Sequence, residues 1–161
     1  MTNYQLSFTK EFESHLINYL DRYPNLEVFL GLIGKIIGKK DNVIQFSVSD
    51  GLPFPNTSPE KKNEVVVTKD WLEIMKEYSL FIKRSKNSSL RLLGALHTHP
   101  GSIPSLSSID KNFGFQLANE LGNAIMIIVG KNKSLYTYFF SQNEILKIKH
   151  ISKKFLKRYI I

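Results

Sequence analysis

The chain has 161 residues, 42% of them hydrophobic and 22% charged, with a net charge of +8 and a pI near 9.6. That length and balance fit one soluble globular domain over 1–161, and the basic excess favours acidic partners or non-specific nucleic-acid contact without saying anything about fold. There is no cysteine, which excludes disulfides and any Cys-ligated zinc, and no apolar run is long enough for a membrane span.

The first residues, Met1-Thr-Asn-Tyr-Gln-Leu-Ser-Phe8, lack the charged segment and apolar run of a secretory leader. Together with the absent cysteines this gives the expectation of a cytoplasmic protein with no membrane partner. Tyr4 to Phe8 alternates weakly as a short strand. Thr9 can cap a helix to about Tyr23, with Phe12, Leu16, Tyr19, Leu20 and Tyr23 at helical spacing. His15 lies beside that stripe and reads as a structural histidine. Pro24-Asn25 ends the helix.

Leu26 to Ile37 reads as a buried strand, with Gly31, Gly34 and Gly38 suggesting a bend or close backbone approach. Taken alone, Glu27 in this strand is a solvent-facing residue. Lys39 to Asn42 reads as a turn, and Val43 to Val48 as the return strand of a hairpin. Asp50 to Asn63 is rich in Gly, Pro, Asn and Ser and reads as a loop, with Phe54 as either an anchor to the domain or part of a flap. Glu64 to Val67 reads as a short strand. Asp70 with Glu73 starts a helix whose inner face is Trp71, Ile74, Met75, Tyr78, Phe81 and Ile82. Lys83 to Ser89 is a basic turn.

Leu92 to Leu96 is an apolar strand that runs into His97-Thr98-His99-Pro100. Alternate residues of a strand point to one side, so His97 and His99 aim at one spot, and Pro100 ends the strand. Ser107 is an N-cap for the next helix and puts Asp110 in its first turn. That helix runs to about Leu121 and stops at Gly122-Asn123. Ala124 to Val129 is a continuous apolar strand, Gly130 to Lys133 a turn, Leu135 to Phe140 an aromatic strand, and Glu144 to Ile151 an edge strand. His150 reads as structural. The tail Ser152 to Ile161 reads as a helix with a solvated basic face; nucleic-acid contact is the alternative.

Two imidazoles and one carboxylate, with a fourth position for water, form the ligand set of a catalytic zinc site. The plainer alternative is a pair of strand histidines satisfied by hydrogen bonds. A zinc hydrolase also needs a general base that is not a ligand, and the histidine stretch holds none.

His97-Thr98-His99-Pro100, six residues, Ser107, two residues and Asp110 resemble the JAMM motif of the JAB/MPN metalloprotease family, and Gly94 also fits that pattern. A second resemblance is Glu27-Val-Phe-Leu-Gly-Leu-Ile-Gly34, a glutamate leading into a glycine-rich apolar segment; the family often has glycine where Leu30 stands. The resemblance implies an α/β fold, a three-layer MPN domain with a mixed curved sheet flanked by helices. It implies one zinc per chain held by His97, His99 and Asp110, with Glu27 as general base. Ser107 falls at the position that helps stabilise the oxyanion, a role compatible with capping.

Family members cleave peptide or isopeptide bonds at the C-terminus of ubiquitin or ubiquitin-like proteins, so the implied partner is a conjugated protein. Only a short stretch separates Asp110 from Ala124, without room for the insertion of chain-reading eukaryotic members. The form is similar to JAB proteins of bacterial operons that pair with E1-like enzymes, including CBASS anti-phage operons. Two other classes stand beside this one: a non-catalytic MPN scaffold, and a RadC-like protein acting near DNA.

Overall fold

The computed structural model describes residues 2–58, 70–86 and 89–151. Among the described residues seven strands form one mixed sheet: β1 (Asn3–Phe8), β2 (Phe29–Lys40), β3 (Val43–Phe54), β4 (Arg91–Thr98), β5 (Ala124–Val129), β6 (Leu135–Phe140) and β7 (Ile145–Ile151). Among the described residues three α-helices accompany them: α1 (Lys10–Arg22), α2 (Trp71–Lys86) and α3 (Ser108–Leu121). The strand order is β1-β3-β2-β4-β5-β6-β7, and the sheet then closes on itself. β1 is the closing strand and lies parallel to both neighbours, with Gln5 opposite Gln45 on one side and Lys149 on the other. Glu144 to Ile151 is therefore no edge strand: β7 pairs with β6 and with β1.

The continuous apolar run of β5 is explained by burial on both faces. Ile125, Ile127 and Val129 point into one cluster with Leu6, Phe46 and Phe139, while Ala124, Met126 and Ile128 point into another. The first cluster takes in α1 through Phe12, Leu16, Ile17 and Leu20. The second takes in α2 through Trp71, Met75 and Ile82, and α3 through Leu117 and Ala118. Each large aliphatic side chain so buried contributes about 1.5–3 kcal/mol. Thr9 caps α1 as its sequence suggests, its hydroxyl oxygen accepting the Phe12 N–H at 3.3 Å.

β3 runs through Phe54, so Asp50 to Phe54 are strand where the sequence reads as loop. Past Val48, β1 no longer flanks β3 among the described residues, so the missing N–H of Pro53 breaks no ladder there. Phe54 is an anchor: it packs edge-on against Phe29 and Trp71, each at 6.3 Å between ring centres. Lys39 and Lys40 belong to β2, and the hairpin turns at Asp41 and Asn42, both with positive φ. α2 continues through Lys83 to Lys86, where the sequence reads as the start of a turn. The expected strand at Glu64 to Val67 and the tail Ser152 to Ile161 lie outside the described residues.

Gly34 and Gly94 are among the glycines with no room for a side chain, each lying against the backbone of a neighbouring strand. A Cβ on Gly34 would run into the Ser47 carbonyl. Gly94 has φ +152°, and a Cβ there would strike the Ile125 carbonyl. It sits where β4 shifts register against β2, so it brings β4 against β5 just upstream of the histidines. Gly38 meets nothing within 4 Å and is not a close-approach glycine.

Candidate metal centre

β4 delivers the two histidines. His97 lies opposite Phe29 of β2 and beside Ile128 of β5. His99 is just past the strand end, and its N–H donates to the Val129 carbonyl at 2.7 Å, so it keeps the alignment of β4 along β5. The two Nε2 atoms face each other at 3.2 Å. The loop after Pro100 is held at two points, by the Lys131 N–H on the Ser102 carbonyl at 2.6 Å and by the Tyr138 hydroxyl on the Pro104 carbonyl at 3.1 Å.

α3 delivers the carboxylate. Ser107 and Asp110 form a reciprocal cap: Ser107 Oγ accepts the Asp110 N–H, and Asp110 Oδ2 accepts the Ser107 N–H at 2.7 Å. This turns Oδ1 toward His97, 2.8 Å from its Nε2, and leaves Oδ2 3.6 Å from Nε2 of His99. His97 and Asp110 are each 6% exposed. Phe113, one turn on from Asp110, packs against Phe29 and Trp71 and locks α3 to the sheet beside the site.

The ligand atoms of His97, His99 and Asp110 all lie within 4.8 Å of one another. The Nε2–Nε2 separation of 3.2 Å is close to the edge of a tetrahedron around a metal, with Asp110 Oδ1 2.8 Å from His97 and Oδ2 3.6 Å from His99. For metal–ligand bonds of about 2.0–2.1 Å that edge is about 3.3–3.4 Å. Two imidazoles and a carboxylate suit zinc and related divalent ions by donor type. The electrostatics agree. Burial by itself raises the Asp110 pKa, but the hydrogen bond and charge of His97 and the two Ser107 hydrogen bonds outweigh it and hold the carboxyl well below the usual range. Burial pushes the His99 pKa down, and His97 pushes it the same way, against the pull of Asp110. Both groups are thus kept in the deprotonated form that a metal binds.

Glu27 lies on the stretch leading into β2, not within the strand. The Thr98 N–H donates to the Val28 carbonyl at 3.2 Å, which extends the β2–β4 register beyond the Phe29–His97 pair. Beyond that pair the ladder is irregular, the Val28 N–H going to the Thr98 hydroxyl, and Glu27 enters β2 beside the end of β4 that carries both histidines. Glu27 is half-buried and borders a cavity of about 380 Å³ shared with Tyr19, Tyr23, Leu26, Phe54 and Asn56. Ser107 is exposed. Its cap uses a lone pair of the hydroxyl oxygen and leaves the proton to donate.

No family model matches the chain, and neither does any curated protein. Among solved structures it is similar to the solution structure of protein DSY2949 from Desulfitobacterium hafniense, with a TM-score of 0.62. The two are 17% identical over 96% of this chain and 97% of that one. At that identity the likeness is one of fold.

All five residues singled out in the sequence fall at this end of the sheet. Two others were missed. The hydroxyl of Thr98 donates to the Leu26 carbonyl at 3.1 Å and accepts the Val28 N–H at 3.0 Å. The amide of Asn56 donates to the Glu27 carbonyl at 3.0 Å. The position of Thr98 between two aligned histidines was the available signal; Asn56, in a stretch of turn-forming residues, offered none. Among the described residues no helix is long and apolar enough to cross a membrane.

Proposed function

We propose that the protein is a zinc-dependent peptidase of the JAMM type, with one zinc per chain, that hydrolyses an amide joining the C-terminus of a ubiquitin-like or other protein to its conjugate. The observation that carries this reading is the convergence of His97, His99 and Asp110, with Glu27 on the stretch that enters β2 beside the end of β4. The helix α1 on one face of the sheet and α2 and α3 on the other support an MPN-type arrangement.

His97 and His99 would hold the metal through Nε2 and Asp110 through a carboxylate oxygen. Bound there, zinc supplies a Lewis acid and makes its water acidic enough to ionise near neutral pH. The chain's own groups do the rest. Glu27 is the base that takes a proton from the attacking water and passes it to the leaving amine, so amide and water become acid and amine. The Ser107 hydroxyl donates to the carbonyl oxygen as negative charge develops on it. Phe29, Trp71 and Phe113 hold strand and helix rigid around the site. The basic charge favours an acidic conjugate or acceptor, with association that weakens as salt rises.

The test is incubation of the zinc-loaded chain with C-terminal fusions of ubiquitin-like proteins, first among them any encoded beside an E1-like enzyme in the same operon. Intact mass reads the products. Cleavage at the fused C-terminus that disappears with chelator is the expected result. Full zinc occupancy with no cleavage of the cognate conjugate would leave the scaffold reading in its place.

A further inference from the structure

We infer that Thr98 and Asn56 form a clamp that positions Glu27 against the metal centre; the inference rests on the reading of Glu27 as general base. A glutamate in the stretch leading into a strand has a mobile backbone unless something fixes it. Four hydrogen bonds do so here. The Thr98 hydroxyl donates to the Leu26 carbonyl and accepts the Val28 N–H, the Thr98 N–H donates to the Val28 carbonyl, and Asn56 donates to the Glu27 carbonyl. The residues before and after Glu27 are thus tied to one side chain, and Glu27 itself to another.

The geometry of the clamp follows from strand alternation. His97 and His99 face the side of α2 and α3, so Thr98 between them faces the other way, onto the side where Val28 packs with α1. Thr98 is 5% exposed. In a regular antiparallel pair the Val28 N–H would go to a strand carbonyl; here it goes to the Thr98 hydroxyl. Only a group that donates and accepts at once can serve Leu26 and Val28 together, which a hydroxyl does and a methyl does not. One residue of β4 therefore sets two things at once: the ligands on either side of it, and the backbone that carries the base. Thr98 and Asn56 touch no reacting atom in this scheme and are positioning residues.

The experiment compares Thr98→Val, Thr98→Ser and Asn56→Ala with wild type in the zinc-loaded full chain. Zinc affinity, read by competition with a chromophoric chelator, is expected to change less than about threefold in Thr98→Val. Loss of a partner that orients a ligand would instead cost roughly 10–100-fold. Amide exchange at Val28, read by NMR, is expected to quicken on the order of tenfold in Thr98→Val and to return toward wild type in Thr98→Ser. On the fusion that wild type cleaves, kcat is expected to fall on the order of 10–100-fold with KM little changed. In a Glu27→Gln background the same substitution is expected to add nothing, because both act through one group.

Unchanged Val28 exchange, a normal kcat, or a loss that persists undiminished in Glu27→Gln would each overturn the clamp. Where Thr98→Val does not fold, Asn56→Ala carries the kcat and Glu27→Gln comparisons from the half-buried side. An inert wild type defeats the peptidase reading, and the clamp then stands or falls on Val28 exchange alone.

Discussion

Ser107 and Asp110 exchange a reciprocal pair of hydrogen bonds, 2.7 Å from the serine N–H to the carboxylate and 3.1 Å from the aspartate N–H to the hydroxyl. The pair thus starts a helix and aims a candidate ligand. Ser107→Ala is expected to lose about 0.5–2 kcal/mol of stability, the usual cost of an N-cap. It is also expected to weaken zinc by up to about tenfold, since the uncapped first turn holds Asp110 less firmly, although the backbone N–H that the carboxylate accepts remains. Thermal melts and chelator competition read the two effects. A drop in stability without a drop in metal affinity would make the serine a cap alone.

Purified protein is expected to carry about one zinc per chain, bound by two imidazoles and a carboxylate. Elemental analysis of wild type against a His97→Ala, His99→Ala double variant decides. Full occupancy in the double variant would sink the site.

Glu27→Gln is expected to keep fold and zinc while losing cleavage by a factor on the order of 100 or more. Near-normal turnover would show that the base is elsewhere. Loss of zinc in place of turnover would make Glu27 a ligand.

Acid is expected to act twice on this site, with the same sign. The His99 pKa lies below its ordinary 6.5, through burial first and His97 second, so the fold disfavours the charged ring and a penalty sets in as pH falls below 6.5. The Asp110 carboxyl, opposed by burial but held down by His97 and Ser107, titrates below its ordinary 3.8. Its contribution is whole above 3.8 and is lost as pH falls toward its lower folded value. Metal needs both groups deprotonated, so retained zinc after dialysis is expected to hold above about pH 6.5 and to decline from there to about pH 4, with His99 the first of the two to take up a proton. Retention that is flat across that range would argue against imidazole ligands.

Gly94→Ala is expected to lose about 3 kcal/mol or more, because it adds left-sided backbone strain to a collision with the Ile125 carbonyl. Gly101→Ala, with nothing within 4 Å of the added carbon, is the matched control and is expected to change stability by less than about 0.5 kcal/mol. Urea unfolding of the two variants reads the contrast; equal midpoints would mean β4 and β5 can separate at Gly94 without loss.

Much of this was legible in the residues, and the boundary follows sequence distance. β5 and β6 fall at Ala124–Val129 and Leu135–Phe140, as their apolar runs suggest. The α1 cap was legible because it lies within one turn, and His97 with His99 because they alternate along one stretch of chain, with Asp110 in the capped first turn of the next helix. Gly51 and Pro53 misled: both are loop-formers, yet pairing with Leu32 and Leu30 of β2 holds them in a strand. The closure of the sheet was invisible, since it joins β1 to β7 across nearly the whole chain. So was the bracket around Glu27, which links residues 70 and 72 positions apart.

The closing strand has a consequence in time. β1 meets β3 early in sequence, but its second partner β7 is the last strand formed along the chain. Contacts of such separation must overcome a large loop-closure entropy before they stabilise anything. The segment from β2 through β6 carries His97, His99 and, on α3, Asp110, and its strands pair among themselves, so it can assemble while that seam is still open. Refolding is therefore expected to be slow for this size and to show zinc binding ahead of final closure, a sequence that stopped-flow fluorescence with a zinc indicator can time. Until the seam shuts, the facing edges of β1 and β7 are bare, and it is in that interval that the chain is most exposed to pairing with strangers.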